Sequence, residues 1–275
     1  MFPISDQIRA RHRFPYVNVA LIAINAIVFL FEISLNSLDQ TAFFYRLGLI
    51  PRELTGGVAF ECLVGTSTGI EATFGDVCDR LIAQGTPDIT TPFHTWGTVF
   101  TSMFIHGGML HIAGNLVFLW VFGDNVEDRL GHFKYLVFYL ATGVAAGWTQ
   151  IAINMDSDVP TIGASGAIAG VLGAYLLLYP YNQIRTVIIF FFITFVRLPA
   201  MAVLGFWIIL QFFSGIFALV PSVTSGVAYW AHIGGFVAGM ATIALLRLFI
   251  WHEPIWPGRP RPFGDWSQGP LDFPR

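Results

Sequence analysis

Ser165 and His232 have the chemistry of a nucleophile and its base, and each opens an almost uncharged run of residues. Ser165 lies in Gly163-Ala-Ser-Gly166, after a short acidic loop with Asp156, Asp158 and Pro160, and leads into an apolar stretch ending at Tyr181. His232 lies in Ala231-His-Ile-Gly-Gly235 and leads into another. The first turn of a helix presents unpaired N–H groups and the positive end of its dipole, which suit an alkoxide and the oxyanion it generates. Gly163 and Gly166 give a substrate backbone access on both sides of the hydroxyl. Taken alone, each residue has a plainer account: a helix hydroxyl bonded back to a carbonyl, and a helix-start histidine bonded at an interface. Together on one side of a membrane they favour acyl transfer by a Ser–His dyad.

An oxyanion also needs donors. His111 and Asn115, at i and i+4, share one helix face near the depth expected for Ser165. Uncharged donors in a dry cavity are worth several kcal/mol to a developing oxyanion. His106 lies about 140° around a helix from His111 and is expected to order the preceding loop. A metal site built from His106, His111 and His232 is disfavoured, since no Cys or acid stands at ligand spacing and no His-Glu-x-x-His occurs. Neither metal nor cofactor is expected. Glu32 and Asp124 lie toward helix ends assigned to other faces or depths, so a dyad is expected rather than a triad.

These residues must be held by membrane spans. The 275 residues are 55% hydrophobic and 11% charged, with a mean hydropathy of +0.66. A soluble domain carries roughly a quarter charged residues, so this chain lacks the polar surface to cover such a core. A multispan membrane protein in contact with the lipid bilayer follows. The net charge of −3 and the lack of a Lys/Arg stripe leave no case for nucleic-acid binding. No cleavable signal is evident, and the run after Arg9, Arg11 and Arg13 reads as the first span.

Six apolar stretches approach the 17–25 residues needed to cross ~30 Å of hydrocarbon. They are Tyr16–Leu35, Leu110–Gly123 (a full span only if it starts near Met103), Phe133–Ile153, Ser165–Tyr181, Ala200–Leu219 and Tyr229–Ile250. Thr186–Val196 is too short to cross and reads as a membrane-surface segment or an extension of the fourth helix. The expected fold is an all-α six-helix bundle over residues 16–250. A cytoplasmic segment (1–15) precedes it and a disordered cytoplasmic tail (251–275) follows.

Positive charge stays cytoplasmic. Arg9, Arg11 and Arg13 precede the first span, Arg129 and Lys134 separate the second and third, Arg185 and Arg197 separate the fourth and fifth, and Arg247, Arg259, Arg261 and Arg275 end the chain. Both termini are therefore expected in the cytoplasm of a cell whose plasma or inner membrane holds the protein. The long first loop (36–97) is then outside, and Ser165 and His232 both start helices descending from the outer face. Cys62 and Cys78 fall in that loop, where oxidising conditions allow a disulfide. Closing a loop of this length would contribute about 3 kcal/mol; the other reading is two free thiols.

Small residues at four-residue spacing let helices approach closely. The fourth span carries Gly166, Gly170 and Ala174, and the sixth carries Gly235 and Gly239. Such packing would bring a serine and a histidine at matching heights within hydrogen-bond reach.

These segments resemble the rhomboid intramembrane serine proteases. Gly163-Ala-Ser-Gly166 is similar to the nucleophile motif, and Ala231-His-Ile-Gly-Gly-Phe-Val-Ala-Gly239 to the base-bearing sixth helix. His106-Gly-Gly-Met-Leu-His-Ile-Ala-Gly-Asn115 is similar to the second-helix segment carrying oxyanion groups. Gly123-Asp-Asn-Val-Glu-Asp128 and Leu198-Pro-Ala200 with Trp207 and Gln211 extend the likeness, from about Tyr16 to Arg247. The resemblance implies a six-helix bundle that cleaves transmembrane substrates near the outer face without a cofactor. It implies Ser165 as nucleophile, His232 as base, and the Ser165 amide with His111 and Asn115 as the oxyanion hole. It also implies that the fifth helix and the loop before His232 admit substrate and cap the site. Substrate helices carrying glycine or other helix-weakening residues are the expected partners.

Two departures stand out. Many members carry a tyrosine four residues after the nucleophile that stacks on the histidine; here Ala169 occupies that place, so another group must orient His232. The Trp-Arg pair of many first loops is missing, and the Cys62–Cys78 region reads as an insertion. The alternative within the fold is a catalytically inactive relative that binds client helices, though such proteins typically lack the serine or the histidine. A transporter or channel would carry pathway charges or an internal repeat, and neither is detected.

Overall fold

The computed structural model describes residues 2–7, 13–57, 59–66, 69–73, 76–189, 192–220 and 226–258. Most of them are helical. Helix α1 (Tyr16–Glu32) buries one stripe, Asn18, Leu21, Asn25, Phe29 and Glu32, spaced by threes and fours as a packed helix face requires. The first loop holds α2 (Ser37–Leu47), α3 (Pro51–Gly56), the hairpin β2 (Cys62–Thr66) and β3 (Gly69–Thr73), and α4 (Asp76–Ala83). A small core of Ala42, Ile50, Phe60, Leu63 and Ile89 holds it together. After a short turn, α5 (Thr98–Thr101), the second apolar helix begins as α6 (Met109–Phe118). It passes through a wider π-type turn at Leu119–Gly123 and ends as α7 (Asp124–Leu130). Then come α8 (His132–Ile153), α9 (Ser165–Leu178), α10 (Ala200–Phe217) and α11 (Tyr229–Leu246), the last continued by a π-type turn to Trp251.

Four of these helices are long and apolar enough to cross a membrane: Met109–Leu130, His132–Ile153, Ala200–Phe217 and Tyr229–Trp251. Tyr16–Glu32 and Ser165–Leu178 are apolar but shorter. The chain is a multi-pass membrane protein. The second helix starts at Met109, not near Met103, and reaches span length by running past its apolar stretch to Leu130, with polar Asp124, Asn125 and Glu127 buried in the bundle.

Helix α9 is the axle of the bundle. All but two of its residues are buried, which is what a helix apolar on every side requires. With 14 residues it is roughly 21 Å long at 1.5 Å per residue. It starts at Ser165 as expected and stops three residues early, at Leu178, for a local reason. At its end, Pro180 removes an N–H and pushes Tyr179 out of helical geometry (φ −137°). At its start, irregular chain leads up to Ser165. That chain is satisfied by bonds from Thr161 N to Leu49 O (2.7 Å), from Leu49 N to Thr161 O (3.1 Å) and from Gly163 N to Ser102 O (2.8 Å).

The fold is not all-α. The segment Thr186–Val196, expected as a membrane-surface segment or an extension of the fourth helix, does not extend α9, which ends at Leu178. Strands β4 (Gln183–Ile189) and β5 (Ile193–Pro199) pair antiparallel from Gln183↔Pro199 to Ile189↔Ile193. Strand β1 (Phe2–Asp6) adds to β4, giving the order β1-β4-β5. The β-branched and aromatic run favours strand, and β1 supplies a partner from the far end of the sequence. Asp6 then accepts hydrogen bonds from Asn125 Nδ2 (2.7 Å), Tyr175 Oη (2.8 Å) and Asn182 Nδ2 (3.2 Å).

Buried polar groups stitch this end of the bundle. Pro15 offers no side-chain cap to α1, and Glu127 replaces it by accepting from Val17 N (3.0 Å) and Asn18 N (2.7 Å). A carboxylate at a helix N-terminus is favourable on both hydrogen-bond and dipole grounds. Arg247, read from the sequence as one of the charges that follow the last span, is buried. Its Nη1 donates to Leu177 O and Ile255 O, each at 2.9 Å, and its Nε to Glu253 (3.3 Å). Glu253 also pairs with Arg129, whose guanidinium stacks 4.2 Å from the Trp251 ring centre. The start of the expected tail therefore returns to the bundle, with Trp256 Nε1 donating to Tyr181 Oη (2.9 Å). Residues 259–275 of that tail, with Arg259, Arg261 and Arg275, lie outside the described residues, as do Arg9 and Arg11.

Candidate active site

Helices α9 and α11 bring Ser165 and His232 together. Ser165 Oγ stands 2.7 Å from His232 Nε2. Both residues sit in the first turn of their helices, so close packing of the two N-terminal halves puts them level. The glycines that permit this divide the task. Gly235 and Gly239 of α11 press on the backbone carbonyls of Gly166 and Gly170, leaving no room for a Cβ. The missing side chains of Gly166 and Gly170 face α8 instead, against Ala146 and Thr142, because one helix cannot turn the same Cα face to two neighbours. The glycines of α9 therefore seat the helix between α8 and α11, where the sequence pattern implied one α9–α11 seam.

The donors lie beside the serine. Ala164 gives α9 no side-chain cap, so the helix's first N–H groups are left open around Ser165. Gly163 has φ +126°, a conformation that favours glycine. A Cβ there would stand 2.7 Å from His111 Nε2 and 3.5 Å from Ser165 Oγ, so a side chain would crowd the space beside both groups. Asn115, one turn beyond His111 on α6, is buried, and its Nδ2 makes no hydrogen bond among the described residues. His106 is fully buried and packs edge-on against the His111 ring, 5.1 Å between centroids. Its backbone N–H donates to the Glu32 carboxylate (3.0 and 3.2 Å). Glu32 therefore stands at the same end of the bundle as the site, contrary to expectation. It acts on the loop before α6 and not on His232.

The group against His232 Nδ1 is an amide. Gln211 Oε1 lies 2.7 Å from it. Trp207, one turn earlier on α10, packs its ring 5.8 Å from the imidazole, and Tyr229 meets it edge-on at 6.5 Å. Here is the packing that the alanine at position 169 does not provide. Sequence reasoning noted Trp207 and Gln211 only as marks of resemblance. The available signal was their i, i+4 spacing in an otherwise apolar span, where an uncharged polar residue needs a partner.

A cavity of about 1080 Å³ opens onto these groups, bounded by Leu110, Asn115 and Phe118 on one side and by Trp207 and Tyr229 on the other. Its walls come from α6, α9 and the start of α11, with Trp207 from α10. Phe44 of the first loop also lines it. The Cys62 and Cys78 sulfurs are bonded, with Cα atoms 5.4 Å apart, but neither residue borders the cavity. The first loop reaches the site through the Leu49–Thr161 bridge and an Arg52–Asp158 ion pair at 2.9 Å. Residues 221–225, in the expected capping loop before His232, lie outside the described residues. Among the described residues, no group of His, Cys, Asp or Glu is placed to hold a metal ion. A hydroxyl, an imidazole nitrogen at 2.7 Å and open N–H groups beside them are the groups that acyl transfer by a serine requires.

Comparison with known proteins gives a family. Residues 93–249, more than half of the chain, match the model of the Rhomboid domain. The chain is 35% identical over 131 residues to the "Rhomboid protease GluP" of Bacillus subtilis, covering 48% of this chain and 22% of that protein. It is 25% identical over 194 residues to the "Rhomboid-type serine protease 2" of Emericella nidulans, covering 68% of this chain and 35% of that protein. It is 30% identical over 91 residues to "Rhomboid protein 1, mitochondrial" of Saccharomyces cerevisiae, covering 32% and 26%. The chain thus spans about a third or less of the length of these curated relatives. With Ser165, His232, His111, Asn115 and Gln211 all inside the matched region, the chain belongs to the rhomboid family.

Proposed function

We propose that the protein is an intramembrane serine endopeptidase. The observation that carries this reading is the 2.7 Å contact between Ser165 Oγ and His232 Nε2 at the edge of a cavity between two apolar helices. The names of its relatives, two of them called proteases, support it at the family level. His232 Nε2 takes the Ser165 proton as Oγ adds to a substrate carbonyl. The resulting oxyanion is held by the Ser165 N–H, His111 and Asn115. Collapse breaks the C–N bond, His232 returns its proton to the leaving amine, and water reverses the sequence on the acyl-enzyme.

The same reading takes all six apolar helices as spans, with both termini cytoplasmic in a cell membrane and Ser165 near the outer face. Substrates are transmembrane helices that unwind readily, because a carbonyl bonded within a helix cannot lie against Ser165. The Ser165 Oγ–His232 Nε2 contact favours activity over an inactive client-binding role, since such relatives typically lack the serine or the histidine.

The test is labelling of purified protein in detergent with a fluorophosphonate probe, alongside cleavage of a reconstituted single-span substrate rich in helix-weakening residues. Wild type labels and cleaves, while Ser165→Ala and His232→Ala do neither. A folded wild type that neither labels nor cleaves, beside a reactive control hydrolase, returns the client-binding reading.

A further inference from the structure

An imidazole that accepts a proton through Nε2 must carry its own on Nδ1, and a buried N–H there needs an acceptor. The acceptor is at hand in Gln211, with Oε1 at 2.7 Å from Nδ1 while Nε2 stands 2.7 Å from Ser165 Oγ. Gln211 comes from α10, whose buried residues are only Ala200, Val203, Leu204 and Gly215, and whose Ile209, Phe212 and Phe213 point outward. Gln211 and Ser214 are the hydrogen-bonding aliphatic side chains of that helix, and the Gln211 amide faces inward onto His232. Trp207 covers both His232 and Phe236, at 5.8 and 6.0 Å, so it walls the imidazole from the α10 side. Two nearby acids have other partners: Glu32 accepts from the His106 N–H, and Asp158 pairs with Arg52.

We propose that Gln211 is the positioning residue of the Ser165–His232 pair: its amide oxygen accepts the Nδ1–H of His232 and selects the tautomer whose Nε2 lone pair faces Ser165 Oγ. The proposal rests on the serine–histidine reading above and deepens it. A neutral amide stands where a Ser-His-Asp triad has its carboxylate. It fixes the tautomer without burying a charge among apolar helices, which would be costly. When the Oγ–H bond breaks and Nε2–H forms, the imidazolium donates Nδ1–H to Gln211 and Nε2–H to the leaving nitrogen. Gln211 itself gains and loses no proton. The opposite amide orientation would donate to Nδ1, leave the ring proton on Nε2 and abolish the base. The two arrangements differ in which ring nitrogen carries hydrogen, and that is measurable without turnover.

The experiment is ¹⁵N spectroscopy of histidine-labelled full-length protein in micelles at neutral pH, with the His232 signals identified by their loss in His232→Ala. Wild type shows His232 protonated on Nδ1. Gln211→Met, of similar volume without the amide, shows mixed tautomers and a kcat lower by about 10²-fold with KM changed less than about threefold. Gln211→Glu, which keeps an acceptor oxygen, recovers at least about a tenth of the wild-type kcat. His232 protonated on Nε2 in wild type overturns the proposal, and that reading stands even where a variant fails to fold. An unchanged tautomer in folded Gln211→Met overturns it too, whatever happens to kcat. A correct tautomer beside a Ser165 inert to the probe retains the contact and instead sinks the protease reading.

Discussion

Gly239 of α11 lies so close to the Gly170 carbonyl of α9 that a side chain on Gly239 would overlap the oxygen. Backbone cannot yield as the end of a flexible side chain can. Gly239→Val therefore forces α11 away from α9 and lowers stability by about 3 kcal/mol or more, at the upper end for overpacking. It also abolishes Ser165 labelling, since Ser165 and His232 ride on the two helices. Gly205 of α10 is the control: nothing stands within reach of an added Cβ. Gly205→Ala keeps or raises the thermal midpoint, because alanine is up to about 1 kcal/mol better in a helix. Thermal unfolding in detergent checks both, and equal losses would refute the packing account.

His111 and Asn115 differ from the dyad in what their loss costs. His111→Ala and Asn115→Ala each lower kcat by about 10²–10³-fold with little change in KM, because their donors matter most as charge develops. Labelling of Ser165 slows but is not abolished. Single-turnover cleavage of a reconstituted substrate separates this outcome from a loss of binding.

Gly163→Ala strikes the same place through the backbone. It combines strain at φ +126° with a methyl 2.7 Å from His111 Nε2. The expected result is a kcat loss comparable to that of His111→Ala, on the order of 10²-fold. If its activity is that of wild type, His111 does not need the space.

The first loop carries its own pH dependence. Burial pushes the Glu53 carboxyl above its ordinary value, and the Phe60 N–H only partly offsets this. A carboxyl raised on folding contributes stability that is full below its unfolded pKa and is lost as pH rises through the folded one. Glu53→Gln therefore gains thermal stability relative to wild type as pH rises above about 4.5, and the two converge at lower pH. Asp88 behaves oppositely: hydrogen bonds from the Thr90 side chain hold its carboxyl low, so its contribution is lost as pH falls through that lowered value. Midpoints of Glu53→Gln and Asp88→Asn against wild type, measured across the acid range, check both signs.

Arg247 ties the end of α11 to the end of α9 and to the chain beyond. Arg247→Met removes bonds to Leu177 O, Ile255 O and Glu253 in a buried setting, at a cost of about 2 kcal/mol. Proteolysis then releases the C-terminal residues faster than in wild type. Unchanged cleavage would mean that the contacts of Trp256 and Arg129 hold that segment alone.

The chemistry was legible along the chain because it depends on residue type and on position within an apolar run. Ser165 and His232 each begin such a run, His111 and Asn115 fall one helical turn apart, and the glycines mark where helices approach. Six apolar stretches are equally a matter of composition, since hydrocarbon admits little else. What sequence periodicity does not carry is the partner of a group that is distant in the chain. The Gln211 amide meets His232 only because α10 packs on α11, and a lone glutamine in an apolar span looks the same whether it bonds its own helix or another. Likewise β1 pairs with β4 across most of the sequence, and a strand without a local partner leaves no short-range pattern. Glu32, Glu127 and Arg247 sit at helix ends, where a charge reads as solvated. Only the assembled bundle shows each of them buried against backbone groups that its own helix could not supply.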